Sequence, residues 1–481
     1  MNAPESTAPA ATGGQPPQES QVARSAHLGW RGTAVGAASS RGRIGVLFGL
    51  LLVWLFFEFG RPPTPPGAPL LISAALFVDW LGKRDKQWSR QSPWWFVLLA
   101  VVAVGVVIAP NTYSAYFYTR FMAILLLGMC LPLQGLITSV RRLRLWIYTF
   151  IAVSVYVGAW ATTHGGFGPG GGAAGQDENY VAALMAMAVA FAYFSIFAEK
   201  RLLPRLLLAL SIVIFVAAIA LAQNPSRGGF LALCAVALYC LARSPRKVLG
   251  ASVLAGGAIA LFAFAGPGFW KEINSTSDVH EGTGDLRLEL WAAGVRMWKG
   301  NPVLGVGAGN FTWVIEKYQT PEQFEKFDRG LGGGIIAHSM LVECIAELGS
   351  AGAIAALVLI VATWRGLDKV IQQIPGPGKA PTDMDPELAQ LRCYADGLRG
   401  AIVAIMVAGT FLSLLYYSHL WVLLAVGSAV PFVYRLVHGP ALGGESARLP
   451  AGRGSSPIRG RVLSPQAPFN RGPCIGSREP S

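Results

Sequence analysis

Charge is scarce in this chain. Only 14% of its 481 residues are Asp, Glu, Lys or Arg, while 53% are hydrophobic. That balance excludes an ordinary soluble globule and fits a chain that crosses a bilayer many times. Cysteine is scarce too. Cys130, Cys234, Cys240, Cys344, Cys393 and Cys474 show no metal-site spacing and outline no disulfide framework. The first 40 or so residues lack the apolar core of a signal peptide. Rich in Pro, Ala, Gly and Ser, they read as a disordered tail, as does the segment from about Gly439 onward. The formal net charge of +13 sits in short clusters between apolar runs and in the tails. No basic surface with interleaved aromatics emerges, so nucleic acid is excluded as a partner.

What is present is a series of apolar runs. Each is long enough, at about 15–25 residues, to span a hydrocarbon core. They predict an all-α polytopic membrane protein with about twelve transmembrane helices near 44–60, 66–82, 93–110, 116–138, 144–163, 179–198, 204–222, 228–242, 249–266, 336–364, 397–415 and 418–436. The even connections are basic: Lys83, Arg84, Lys86 and Arg90; Arg141, Arg142 and Arg144; Lys200, Arg201 and Arg205; Arg243, Arg246 and Lys247; Arg365 and Lys369. The odd connections carry few cations. "RPPTPP" and "QNPSRGG" have one arginine each, and "NTYSAY" and "HGGFGPGGGAAGQDEN" have none. By the positive-inside rule both termini are cytoplasmic and the odd connections lie outside. The chain then divides into a tail at 1–43, a membrane domain at 44–436 and a tail at 437–481. One long external loop, 267–335, separates the ninth and tenth spans.

Three stretches on the expected outer face carry chemistry. "NPSRGG" holds Arg227. "GDLRLELWAAGVRMWKGNPVLGVGAGNF" holds Arg287. "AHSMLVECIAELGSAG" holds His338. In this order they resemble the O-antigen ligase and polymerase superfamily, whose members are glycosyltransferases of the bacterial inner membrane. The motifs fall between about 179 and 364; elsewhere the resemblance lies in span number and orientation alone. It implies a multi-pass protein of the bacterial inner membrane that takes a glycan from undecaprenyl diphosphate. The glycan passes to an acceptor hydroxyl on the periplasmic face. A ligase uses a lipid A-core sugar as acceptor, a polymerase the next lipid-linked repeat, and a protein-glycosylating relative is a third case. The resemblance also implies that Arg227 and Arg287 bind the diphosphate and that His338 is the catalytic residue. Many relatives carry Asn after that histidine; here it is Ser339.

The residue types suit these roles. Arginine keeps its charge and offers a planar fork to phosphate oxygens. Two arginines can stabilise a departing diphosphate, so neither a metal nor another cofactor is required. Histidine titrates near neutrality and can accept a hydroxyl proton. Gly228 and Gly229 are expected to let the backbone approach a ligand. Trp291, Trp298, Phe311 and Trp313 are candidates for sugar stacking or for interfacial anchoring.

Plainer readings stand beside these. Arg227 can snorkel to headgroups. "DLRLELW" is amphipathic and can lie on a membrane surface. Arg296 or Arg329 can replace Arg287, and His164, His280 and His419 also fall outside. Glu347 lies nine residues beyond His338, on the far side of a helix, and reads as a structural partner. "GVGAGNF" follows no strand, so it is a turn under the sugar-binding surface and not a dinucleotide fingerprint. The rival function is a transporter for a small anion such as bicarbonate. The long external loop and the missing internal repeat argue against it.

Overall fold

A computed structural model describes residues 45–62, 67–84, 86–170, 177–274, 283–326, 334–376 and 385–438. Both tails, His280 and Arg329 lie outside these residues, and so do the side chains of 283–285 and 324–326. The described residues are almost wholly helical. The principal helices are α1 (Val46–Gly60), α2 (Ala68–Gly82), α3 (Ser92–Ile108), α4 (Thr112–Leu136), α5 (Val140–Thr163), α6 (Glu178–Ala198) and α7 (Leu202–Ala220). They continue as α8 (Arg227–Arg243), α9 (Lys247–Phe264), α10 (Pro267–Asn274), α11 (Thr283–Gly300), α12 (Met340–Gln373), α13 (Pro386–Thr410) and α14 (Ser418–His438).

Each of the twelve expected spans overlaps a helix. Among the described residues, seven helices are long and apolar enough to cross a membrane: α4, α5, α6, α7, α9, α12 and α14. Helices α1, α2 and α3 are apolar but shorter. Helices α8 and α13 fall in neither group. Helix α13 carries Arg392, which donates to the carbonyls of Ile371 and Ile374, and Asp396 and Arg399, which are in ion pairs. Arg243 of α8 meets Asp396 at 3.2 Å, and Arg399 meets Asp368 of α12 at 2.7 Å. Charges at such depth persist when partnered. Helix α4 is not uniform either: Ile124–Cys130 is a π-helical segment ahead of Pro132.

Helix α6 is the hub. Its apolar window is 94% buried, against 11% for α9. Ala182, Ala183, Ala186, Ala190 and Ala192 let neighbours approach closely. A Cβ on Gly400 of α13 would lie 2.8 Å from the Ala190 Cβ. The outward faces stay apolar, with Leu206, Leu207 and Leu210 of α7 and Ile259 and Phe262 of α9 exposed, as a lipid-facing surface requires.

The expected long connection is not a plain loop. It contains α10, α11 and short helical turns at Phe311–Val314, Ile315–Tyr318 and Pro321–Lys326. Leu290, Ala293 and Met297 form a stripe on α11. They pack with Phe311, Val314, Ile315, Ala337 and Ala346 in a second small core. The amphipathic pattern around Arg287 therefore serves an internal contact, and the membrane-surface reading is corrected. Gly294 sets the closeness: a Cβ there would meet Val342 of α12 at 2.4 Å.

Candidate active site

The tenth expected span starts later and ends later than its apolar run, and it is broken. Gly349 sits inside α12 at φ 61°, which interrupts the helix. Its ladder is completed by another segment. Val306 N–H donates to Ala346 O (2.9 Å) and Gly307 N–H to Glu347 O (3.0 Å). Beyond the break, Ser350 N–H donates to Pro302 O (2.8 Å) and Ala351 N–H to Val303 O (3.1 Å). Backbone groups at membrane depth need partners, and the glycine-rich turn supplies them. That turn is possible because Gly305, Gly307 and Gly309 all take positive φ, at 68°, 93° and 65°.

Glu347 locks the same turn. Its carboxylate accepts from Gly309 N–H (2.6 Å), Phe311 N–H (2.9 Å) and the Tyr416 hydroxyl (2.5 Å), and the residue is 2% exposed. It is a structural partner of the loop.

Above this break lie the candidate residues. His338 precedes α12 in the left-handed region, at φ 48°. A bulky residue there is strained by the order of 1–3 kcal/mol, so its surroundings must hold it. Three contacts do so. Trp291 Nε1–H of α11 donates to Ala337 O (3.1 Å), Met340 N–H donates to Leu412 O (2.8 Å), and Ser339 caps α12 by accepting from Val342 N–H (3.4 Å).

Arg227 opens α8, whose cap is Ser226, accepting from Gly229 N–H at 3.0 Å. Its Nε and one Nη both donate to the same Glu272 oxygen on α10, each at 2.8 Å. Phe230 of α8 meets Phe269 of α10 edge-on, with centroids 5.8 Å apart, and joins the two helices. The space beside Gly228 and Gly229 is filled by protein. Added Cβ atoms would lie 3.0 Å from Phe411 and 2.3 Å from Ala182. The expectation that these glycines admit a ligand is corrected: they admit α6 and the end of α13. Phe411 also lies 6.4 Å from the Trp291 ring. It thus links the Arg227 turn to the Arg287 helix.

Electrostatics ties the three residues together. Burial, and then the charge of Arg227, lowers the Arg287 pKa, while Glu272 opposes the fall. Burial, and then the charge of Arg287, lowers that of His338, so the imidazole is held neutral below its ordinary range. Arg227, Arg287 and His338 therefore share one field, although the sequence separates Arg227 from His338 by more than a hundred residues.

The alternatives are placed elsewhere. Arg296 is engaged with Tyr318 O and Gln323, both at 2.6 Å. His164 stacks on Trp160 at 4.1 Å, and His419 on Phe59 at 4.4 Å. Of the aromatics proposed to stack on sugars, Phe311 is core, Trp291 and Trp298 are tied by hydrogen bonds, and Trp313 is 63% exposed. Asp383-Met384-Asp385 has the spacing of a metal-holding acidic pair. Asp385 caps the N-terminus of α13 by accepting from Glu387 N–H (2.8 Å), and the whole helix separates it from Phe411. Among the described residues no group of His, Cys, Asp and Glu is arranged to hold a metal.

Glu272 and the break at Gly349 are the features that motif reading does not reach. "PGFWKEIN" carries no signature, and "AELGSAG" reads as unbroken helix.

A search of curated proteins finds no match to this chain. Residues 213–357, the segment that carries Arg227, Arg287 and His338, match the family model described as O-antigen ligase.

Proposed function

We propose that the protein transfers a glycan from undecaprenyl diphosphate to an acceptor hydroxyl on the periplasmic face of the bacterial inner membrane, as an O-antigen ligase or a polymerase. The observation that carries this reading is the shared field of Arg227, Arg287 and His338 within the family segment. The two guanidiniums bind the diphosphate oxygens and stabilise the charge that grows as the anomeric C–O bond breaks. The electron pair stays on the diphosphate. Neutral His338 takes the proton of the acceptor hydroxyl as its oxygen attacks the anomeric carbon, a contribution of about 10²–10⁴-fold. Two permanent cations supply what a divalent ion would, so the reaction is metal-independent.

The test uses purified protein in detergent, a lipid-linked donor and a glycan acceptor. Transfer should persist in excess chelator. Arg227→Lys should recover only part of the activity lost in Arg227→Ala, because a point charge lacks the two-pronged geometry. Chelator-sensitive transfer restored by magnesium would overturn the metal-independent step. Full transfer by Arg227→Ala at normal protein levels would remove the arginine from the site.

A further inference from the structure

Arg227 already holds an anion. Two of its donors converge on one Glu272 oxygen, and a diphosphate that uses this edge of the guanidinium must displace that carboxylate. The two partners stand on different helices, and the Glu272 side chain is 43% exposed, so it has room to swing. Its helix does not need to follow. Phe269 is 3% exposed and packs on Phe230, while Trp270 stacks on Phe262 of α9 at 5.2 Å. Glu272 also acts on the neighbouring cation: its charge counters the repulsion that Arg227 exerts on Arg287.

We propose that Glu272 is an anionic placeholder for the lipid diphosphate: it offsets one of the two arginine charges before the donor arrives, leaves Arg227 when the donor binds, and returns as the product departs. This rests on the donor reading given above. Its use lies in the second half of the cycle. Breaking the anomeric C–O bond leaves the electron pair on the diphosphate, so the product gains a terminal oxygen anion and grips the arginines harder than the donor did. The acceptor proton has gone to His338. A carboxylate tethered beside Arg227 competes at high local concentration and loosens that grip.

The experiment titrates the purified full chain with farnesyl diphosphate, a short prenyl diphosphate, and follows turnover with the lipid-linked donor. Glu272→Gln keeps the size of the side chain and removes its charge. It should bind farnesyl diphosphate about fivefold tighter, the scale of a part-exposed ion pair, and should turn over more slowly at saturating donor. Equal or weaker binding overturns the placeholder and makes Glu272 a tie between α8 and α10. If the glutamine variant does not fold, Glu272→Asp, one methylene short of Arg227, should shift binding in the same direction. Arg227→Ala separates the two levels. Weakened binding there with no gain in Glu272→Gln sinks the placeholder alone, whereas unchanged binding in Arg227→Ala sinks the donor reading beneath it.

Discussion

A base must be deprotonated before it can work, and the surroundings of His338 arrange that. Burial and the nearby Arg287 charge both disfavour the imidazolium, so the folded pKa lies below the ordinary 6.5. The sign follows directly. The neutral form persists as pH falls through 6.5 and is lost only as pH falls through the lowered value. The acid limb of kcat/KM for transfer should therefore lie below pH 6.5. In Arg287→Ala the residual activity should have its acid limb shifted upward, since a like charge has been removed. A limb above 6.5 in the wild type, or full transfer in His338→Ala, would end the assignment of His338 as base. At this scale motif order singled out Arg227 and His338 as candidates, but their partners were not legible. Glu272 reaches Arg227 across helices, and nothing in "PGFWKEIN" predicts that contact.

Helix α12 shows what an element contributes. Its apolar run reads as a single span, and Gly349 reads as one small residue among several. The break appears only when segment 302–309 inserts and takes over four backbone hydrogen bonds. Glu347 then makes the insertion specific by accepting from two backbone N–H groups and a tyrosine hydroxyl. Glu347→Ala should leave buried donors unpaired, at about 1–3 kcal/mol each, and lower the unfolding temperature of the purified protein in detergent. Gly349→Ala should be worse tolerated, because its Cβ would lie 2.3 Å from Val303 O at a left-handed φ. Wild-type unfolding temperatures in both variants would show that the loop does not depend on the break.

At the scale of the whole molecule, the candidate residues gather at one end of the helix array, where the odd connections meet. The opposite end is tied by Arg144–Glu199, Arg243–Asp396 and Arg399–Asp368. The distribution of cations gives the expected orientation. A reporter fused after Asn274 should be active only if exported, and one fused after Arg246 only if retained in the cytoplasm. The reverse pattern would put Arg227, Arg287 and His338 on the face away from the proposed periplasmic donor and acceptor.

Hydropathy and charge, both local properties of the chain, were enough to locate the twelve helices and to set the expected alternation of their ends. A bilayer imposes its thickness on every span separately, so each run can be read alone. Pairing cannot be read that way. The ion pair at Arg227, the insertion that breaks α12 and the long-range contacts that hold His338 at positive φ join residues tens of positions apart. The insertion exists because buried backbone groups must find partners where water cannot serve, and in all three cases only the packed helices decide which partner is within reach.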